Sequence, residues 1–138
     1  MIKKTIKYTD YNGTEREEPF WFNLTKAELM EMEMGTTGGL AEMIQKIVET
    51  QDAPAIIKIF KDLVLKAYGE KSADGRRFIK IGPDGVALSV GFSQTEAYSQ
   101  LFMELATDAD KAAEFVKGII PNDIDISKAD VKQLTQNN

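Results

Sequence analysis

The chain has 138 residues, 43% of them hydrophobic and 28% charged, which indicates one globular domain and excludes a wholly disordered protein. It has no cysteine and no histidine, which excludes a disulfide framework and removes both the commonest general base and the commonest zinc ligand. The formal charge of −5 argues against a nucleic-acid partner, and no apolar run approaches the ~18 residues of a membrane span.

The amino-terminal residues predict a β-hairpin. Apolar and polar side chains alternate from Ile2 to Tyr8, and Asn12-Gly13 separates this run from a second one that ends in Phe20-Trp21-Phe22. An Asn-Gly pair between two such runs is typical of a hairpin turn. Pro19 cannot donate a ladder hydrogen bond, so the second strand is either an edge strand at that point or begins after it.

Three helices are predicted after the hairpin. Thr25 and Glu28 have the spacing of a capping box, and a methionine-rich segment follows them. Apolar residues then recur at helical spacing over residues 40–48, and again over 56–68. We expect the last of these helices to be central to the fold, because it is apolar around most of its circumference, and to end at Gly69.

The residues from 71 to 92 change to a period of two. Isoleucines at 79 and 81 precede the turn sequence Gly82-Pro83-Asp84-Gly85, and apolar residues at alternate positions follow it up to Phe92. This pattern predicts a second short hairpin around 77–92. The alternative is a helical turn from Val86 to Val90, since short apolar runs are ambiguous by periodicity alone.

Two amphipathic helices are predicted over residues 92–121. Ser93 and Glu96 have capping-box spacing for the first helix, and Thr107 starts the second, with Asp108 and Asp110 in its first turn. Gly118 and Pro121 are expected to end it. The predicted fold is therefore α+β, with an amino-terminal hairpin packed on a bundle of about five helices in a single domain, 1–121, and a polar tail at 122–138.

The acidic and basic clusters do not indicate catalysis or cofactor binding. Asp123 and Asp125 begin like a calcium loop, but the required glycine is replaced by Lys128 and the bidentate glutamate by Leu134. The glutamates at 15, 17 and 18 are interpreted as a solvated face, and the basic residues at 71, 76, 77 and 80 as surface charge around a turn. We predict a protein that is not an enzyme and has no metal or cofactor.

The methionines and aromatic residues are the candidates for protein contact. Methionine is unbranched and polarizable, so it adapts to different apolar partners. Alternate spacing at 30, 32 and 34 spreads three methionines around a short helix, so they cannot all face the core. The predicted contact residues are Phe20, Trp21, Phe22, Met30, Met32 and Met34.

Two segments resemble the tail assembly chaperones of long-tailed bacteriophages and prophages: IKKTIKYTDYNGTEREEPFWFNLTKAELMEME, with GGL just after it, and FSQTEAYSQLFMELATDADKAAEFVKGIIP. The resemblance implies a non-enzymatic protein that binds the tape measure protein, keeps it soluble and helps tail tube subunits assemble around it. It also implies a place in the host bacterial cytoplasm and absence from the mature virion. Self-association stays open as a further contact.

The alternative function is a structural virion component, such as a tail or head-tail connector subunit. Its amphipathic helices would then be assembly interfaces. The amino terminus lacks the apolar region of a signal peptide, so under either function we expect the protein to stay in the compartment where it is made.

Overall fold

The computed structural model describes residues 1–35 and 53–121. Their elements, in chain order, are two long strands, two helices, two short strands and three helices. The strands are β1 (Ile2–Thr9), β2 (Glu15–Phe22), β3 (Tyr68–Lys71) and β4 (Phe78–Ile79). The helices are α1 (Lys26–Gly35), α2 (Ala53–Ala67), α3 (Leu88–Phe92), α4 (Glu96–Thr107) and α5 (Ala109–Ile119). The predicted α+β class is confirmed, while the helix predicted at 40–48 and the tail at 122–138 lie outside the described residues.

The amino-terminal hairpin forms as predicted. β1 and β2 pair antiparallel along their whole length, from Ile2 opposite Phe22 to Thr9 opposite Glu15. Gly13 has a φ of +83°, a left-handed conformation that glycine adopts without steric penalty, and this lets the tight turn close. The strand runs through Pro19, which lies opposite Thr5. β3 pairs only with the last two residues of β2, so Pro19 lies on an edge, as one of the two predicted alternatives required.

The second half of the sheet differs from the prediction. Gly69 does not end the preceding helix but lies in β3, where a Cβ would come within 2.6 Å of the Phe78 ring. The glycine is needed because β4 packs closely against it. β3 and β4 form a short hairpin, a single bridge joins Ile81 to Ala87, and residues 88–92 are helical. The predicted strand from 86 to 92 is therefore wrong, and the helical alternative lies closer to the structure.

The helix caps were predicted correctly at one of three starts. Thr25 and Glu28 form the expected box: the Thr25 N–H donates to Glu28 Oε1 at 2.9 Å, and the Glu28 N–H donates to Thr25 Oγ1 at 3.1 Å. The α4 cap is Thr95, not Ser93, because a separate short helix, α3, comes first and the Ser93 hydroxyl bonds to its end. The cap of α5 is Asp108 rather than Thr107, and it accepts from two backbone amides in the first turn.

The core lies between one face of the sheet and the helices. Its centre is an aromatic cluster in which Phe22 is fully buried, with ring centroids 5.2 Å from Phe115, 5.8 Å from Phe92 and 5.8 Å from Tyr68. The Tyr68 and Phe92 rings are stacked 4.2 Å apart. Since four elements meet at this cluster, it fixes β2, β3, α3 and α5 relative to one another.

Gly118 has a different role from the predicted helix end. It lies within α5, at a point where a Cβ would come 2.8 Å from Ile2 Cδ1 and 3.1 Å from Ile2 Cβ. α5 can therefore approach β1 closely only because position 118 has no side chain.

Candidate protein-contact surface

The register of the hairpin separates its side chains into two faces. Residues directly opposite each other in an antiparallel pair lie on the same face, and successive residues on opposite faces. The even-numbered residues of β1 and β2 include the core residues Ile6 and Phe22 and therefore face the helices. The odd-numbered residues of β2, among them Trp21, form the outer face.

The six predicted contact residues do not form one surface. Phe22 and Met32 are buried in the core, with 0% and 8% of their surface exposed, whereas Met30 is 66% exposed. Phe20 and Trp21 are half-buried, on opposite faces of β2. The side chain of Met34 lies outside the described residues. In this conformation, Trp21, Met30 and part of Phe20 are the members available to a partner.

Trp21 lies between two cations on the outer face. The Nζ atoms of Lys3 and Lys71 are each 5.7 Å from its ring centroid, a distance at which an ammonium group is attracted to the π face. Trp21 thus offers the exposed part of a half-buried ring, with positive charge beside it.

A cleft opens beside Trp21 where β2 and β3 separate. It has a volume of 590 Å³ and is lined by β2 residues from Glu18 to Trp21 on one wall and by residues 68–73 on the other. The β2–β3 ladder ends here: Gly69 pairs with Trp21, whereas Glu70 and Lys71 pair only with β4, on the other side of β3. The cleft therefore follows the part of β2 that β3 leaves unpaired.

Three of the exposed apolar residues that the sequence does not predict as contacts lie close together in the chain, around the isolated bridge. Ile81, Val86 and Val90 are 63%, 47% and 47% exposed; Ile81 forms the isolated bridge, Val86 lies just before the bridge partner Ala87, and Val90 lies in α3. The predicted second hairpin placed Val86 and Val90 at alternate positions of a strand, and therefore on one face of it. Recognising that residues 82–85 lead into a short helix would have revealed Val90, because a helix of five residues has too few turns to bury every apolar side chain.

Lys80 is a half-buried residue that links separate segments of the chain, and not the surface charge that the sequence predicts. Its Nζ donates to the backbone oxygens of Asn23 and Lys66, both at 2.8 Å, and to Glu28 Oε2 at 2.5 Å. Burial lowers the pKa of Lys80 despite the opposing effect of Glu28. Burial alone would raise the pKa of Glu28, but hydrogen bonds from Lys80 and Thr25 outweigh it and hold that pKa below its usual value. This half-buried pair ties the start of α1 to the end of α2.

Two acidic residues of the hairpin, Asp10 and Glu18, pair with Arg16 near the turn. Asp10 Oδ2 lies 2.6 Å from Arg16 Nε, and Arg16 Nη1 lies 3.3 Å from Glu18 Oε2. The hydrogen bond from Arg16 and those from nearby backbone amides lower the pKa of Asp10. Within 1–35 and 53–121, no group of three or more acidic side chains is placed to hold a metal ion. Every helix in those ranges is too short or too polar to cross a bilayer.

Comparison with known proteins gives one result that covers the whole sequence. The family model described as "Phage tail assembly chaperone" matches residues 1–138. Curated proteins and solved structures give no match. The match includes the middle of the chain, residues 71–91, where the sequence resemblance is least marked.

Proposed function

The chain belongs to the phage tail assembly chaperone family, and from that premise we propose that it binds the tape measure protein of its phage and aids assembly of the tail tube. The family match over residues 1–138 is the observation that carries the proposal. Chaperones act by binding, so the proposed role needs an accessible apolar surface rather than a catalytic centre.

The surface around Trp21 supports this role. A chaperone for a long, aggregation-prone polypeptide must present apolar groups to its client without associating through them nonspecifically. Trp21 has lysines on either side, and the protein carries a net charge of −5, both of which favour solubility. Met30 adds an exposed, conformationally adaptable side chain on α1.

The place of action follows from the partner. Tape measure and tail tube proteins are made in the host bacterial cytoplasm, so the chaperone would meet them there and be left out of the finished virion. Mass spectrometry of purified virions tests this part: a chaperone is absent or scarce. A stoichiometric amount would instead support the alternative, a structural virion component.

Co-expression with the tape measure protein tests the proposed partner. We expect a soluble complex that co-purifies with the chaperone, and an insoluble tape measure protein when the chaperone is omitted. Recovery of soluble tape measure protein without any bound chaperone, under the same conditions, would contradict the proposal.

Two substitutions and a control test whether Trp21 and Met30 contact the tape measure protein. Trp21→Ala and Met30→Ala should each reduce co-purification while leaving the unfolding midpoint close to that of the wild type, because both side chains are outside the core cluster. Tyr11→Ala is the matched control, since Tyr11 is an aromatic residue, 76% exposed, in the turn at the other end of the hairpin. An equal loss of binding in all three variants would argue against a specific surface.

A further inference from the structure

One stretch of β2 has a free backbone edge. Among the described residues, β3 pairs with β2 only at Trp21 and Phe22, so no strand pairs with residues 15–19 on that side. A free strand edge can accept another extended chain through backbone hydrogen bonds. The cleft of 590 Å³ begins at the last two of these residues, Glu18 and Pro19, and leaves space for such a chain beside them.

The direction of the backbone groups follows from one hydrogen bond. The N–H of Asn23 donates to the carbonyl oxygen of Ala67, on the side where β3 begins. Successive residues of a strand direct their N–H and C=O groups to opposite sides, so Glu15, Glu17 and Pro19 share the direction of Asn23. Glu15 and Glu17 therefore direct both an N–H and a C=O toward the free edge, while Pro19 offers only its C=O there and interrupts no hydrogen bond to β1.

The charges along this edge indicate whether a basic chain or a second copy of the protein would bind there. Glu15 and Glu17 lie on the outer face and belong to none of the salt bridges within the described ranges, although Lys7 lies opposite Glu17 in the register and Lys71 lines the cleft beyond Pro19. The Arg16 charge is already used by Asp10 and Glu18. Opposite charges on neighbouring strands stabilise pairing, and like charges oppose it. Two copies joined through this edge would bring their glutamates together, so a second copy fits less well than a basic chain.

We infer that the free edge at residues 15–19 binds an extended segment of the client by strand addition, and that this segment carries Lys or Arg at alternate positions. The inference rests on the proposed chaperone function, for which it names a binding mode and the chemistry of the bound segment. Trp21, at the end of the same edge, would contact an apolar residue of the segment.

Two synthetic peptides of about eight residues, the length of β2, test the inference directly. In one, lysine alternates with valine and threonine; in the other, glutamate replaces lysine. The lysine peptide should bind the full-length protein about tenfold more tightly than the glutamate peptide, measured by fluorescence anisotropy. It should also slow hydrogen exchange at the amides of Glu15 and Glu17. Equal affinity for the two peptides, or unchanged exchange at both amides, would overturn the inference.

Variants at position 17 separate backbone pairing from charge. Glu17→Pro removes one edge N–H without removing a bond to β1, and should weaken lysine-peptide binding about tenfold. Glu17→Gln keeps the N–H and should weaken binding less, while Glu15→Lys with Glu17→Lys should reverse the preference between the two peptides. Circular dichroism and the urea midpoint check that each variant is folded. A folded Glu17→Pro protein with wild-type affinity would overturn the inference.

Co-expression distinguishes failure of this inference from failure of the proposed function. If the tape measure protein co-purifies equally with wild type and with Glu17→Pro, the function stands and the edge is not its site. If it co-purifies with neither, yet the lysine peptide binds wild type at the edge, the function fails and the edge inference stands. Protection of the Glu15 and Glu17 amides that rises with protein concentration alone would identify a second copy as the occupant and overturn the inference.

Discussion

The two ends of the amino-terminal hairpin are held by different forces. At the open end, Phe22 is fully buried and contacts rings from β3, α3 and α5. At the turn, Asp10 accepts hydrogen bonds from the amides of Asn12 and Thr14 and pairs with Arg16, all in exposed surroundings. Burial of aromatic surface stabilises far more than exposed ion pairs do. The fold therefore depends on the packed end, while the turn and the free edge can change sequence with little loss of stability.

Phe22→Ala should produce the largest effect, because it removes the centre of the aromatic cluster. Loss of a buried phenylalanine costs about 3–5 kcal/mol, a large share of the stability of a domain this size. Chemical unfolding followed by circular dichroism measures the change. Trp21→Ala is the matched control: it is the neighbouring residue on the outer face and half-buried, so its loss of stability should be clearly smaller. Equal losses would mean that the outer face contributes to stability as much as the core does.

Substitution of two glycines by alanine tests the close packing at the open end of the hairpin. Gly118→Ala introduces a Cβ 2.8 Å from Ile2 Cδ1 and should destabilise by about 1–3 kcal/mol, since α5 and β1 would have to move apart. Gly91→Ala, in α3, meets no atom within 4 Å and should leave stability unchanged or raise it by up to about 1 kcal/mol.

Both changes are glycine to alanine in a helix, so they have nearly the same effect on backbone freedom in the unfolded chain. Their difference in urea midpoint isolates the steric contact with Ile2. A shift of the same sign and size in both variants would contradict the close approach of α5 to β1.

Local sequence patterns predicted the elements that depend on local physics. The alternation of β1, the Asn-Gly turn and the box at Thr25 and Glu28 each arise within a few residues, and each is found in the structure. Gly69 and Lys80 were misread because their roles depend on distant residues. A glycine is required at position 69 because the Phe78 ring approaches it closely. Lys80 is bound by Glu28, which lies 52 positions earlier in the chain.

The candidate site was partly predictable from the same patterns. Strand alternation alone requires Trp21 to lie on the face opposite Phe20 and Phe22, so these three could not share a surface. Likewise, Met30 and Met32 are two positions apart in a helix and lie on nearly opposite sides, which agrees with one being exposed and the other buried. The free edge of β2 could not be predicted, because it depends on where β3 turns away.

Glu28→Gln tests the ion pair between Glu28 and Lys80, which links α1 to the end of α2, and should have an intermediate effect on stability. Loss of a hydrogen bond to a charged partner should destabilise by about 1.5–3 kcal/mol at neutral pH, because Lys80 would remain half-buried without its counter-ion. The folded-state pKa of Glu28 is lowered, so its contribution is present above the usual glutamate pKa and is lost as the pH falls through the lower folded value. Urea midpoints of the two proteins should therefore converge in acid. A constant difference down to acidic pH would show that the ionised carboxylate is not the stabilising group.

Substitution of Asp10 at the turn should give the smallest effect. Asp10→Asn keeps an oxygen that can accept from the amides of Asn12 and Thr14 but loses the charge that pairs with Arg16, and the exposed pair is screened by water. Asp10→Ala loses both and should lower the urea midpoint more than Asp10→Asn, yet less than Glu28→Gln. The lowered pKa of Asp10 means that its contribution disappears in acid, so the wild type and Asp10→Asn should converge there. A loss at the turn as large as that of Phe22→Ala would refute the difference between the two ends, because it would mean that exposed hydrogen bonds within the turn stabilise the hairpin as much as the buried rings do.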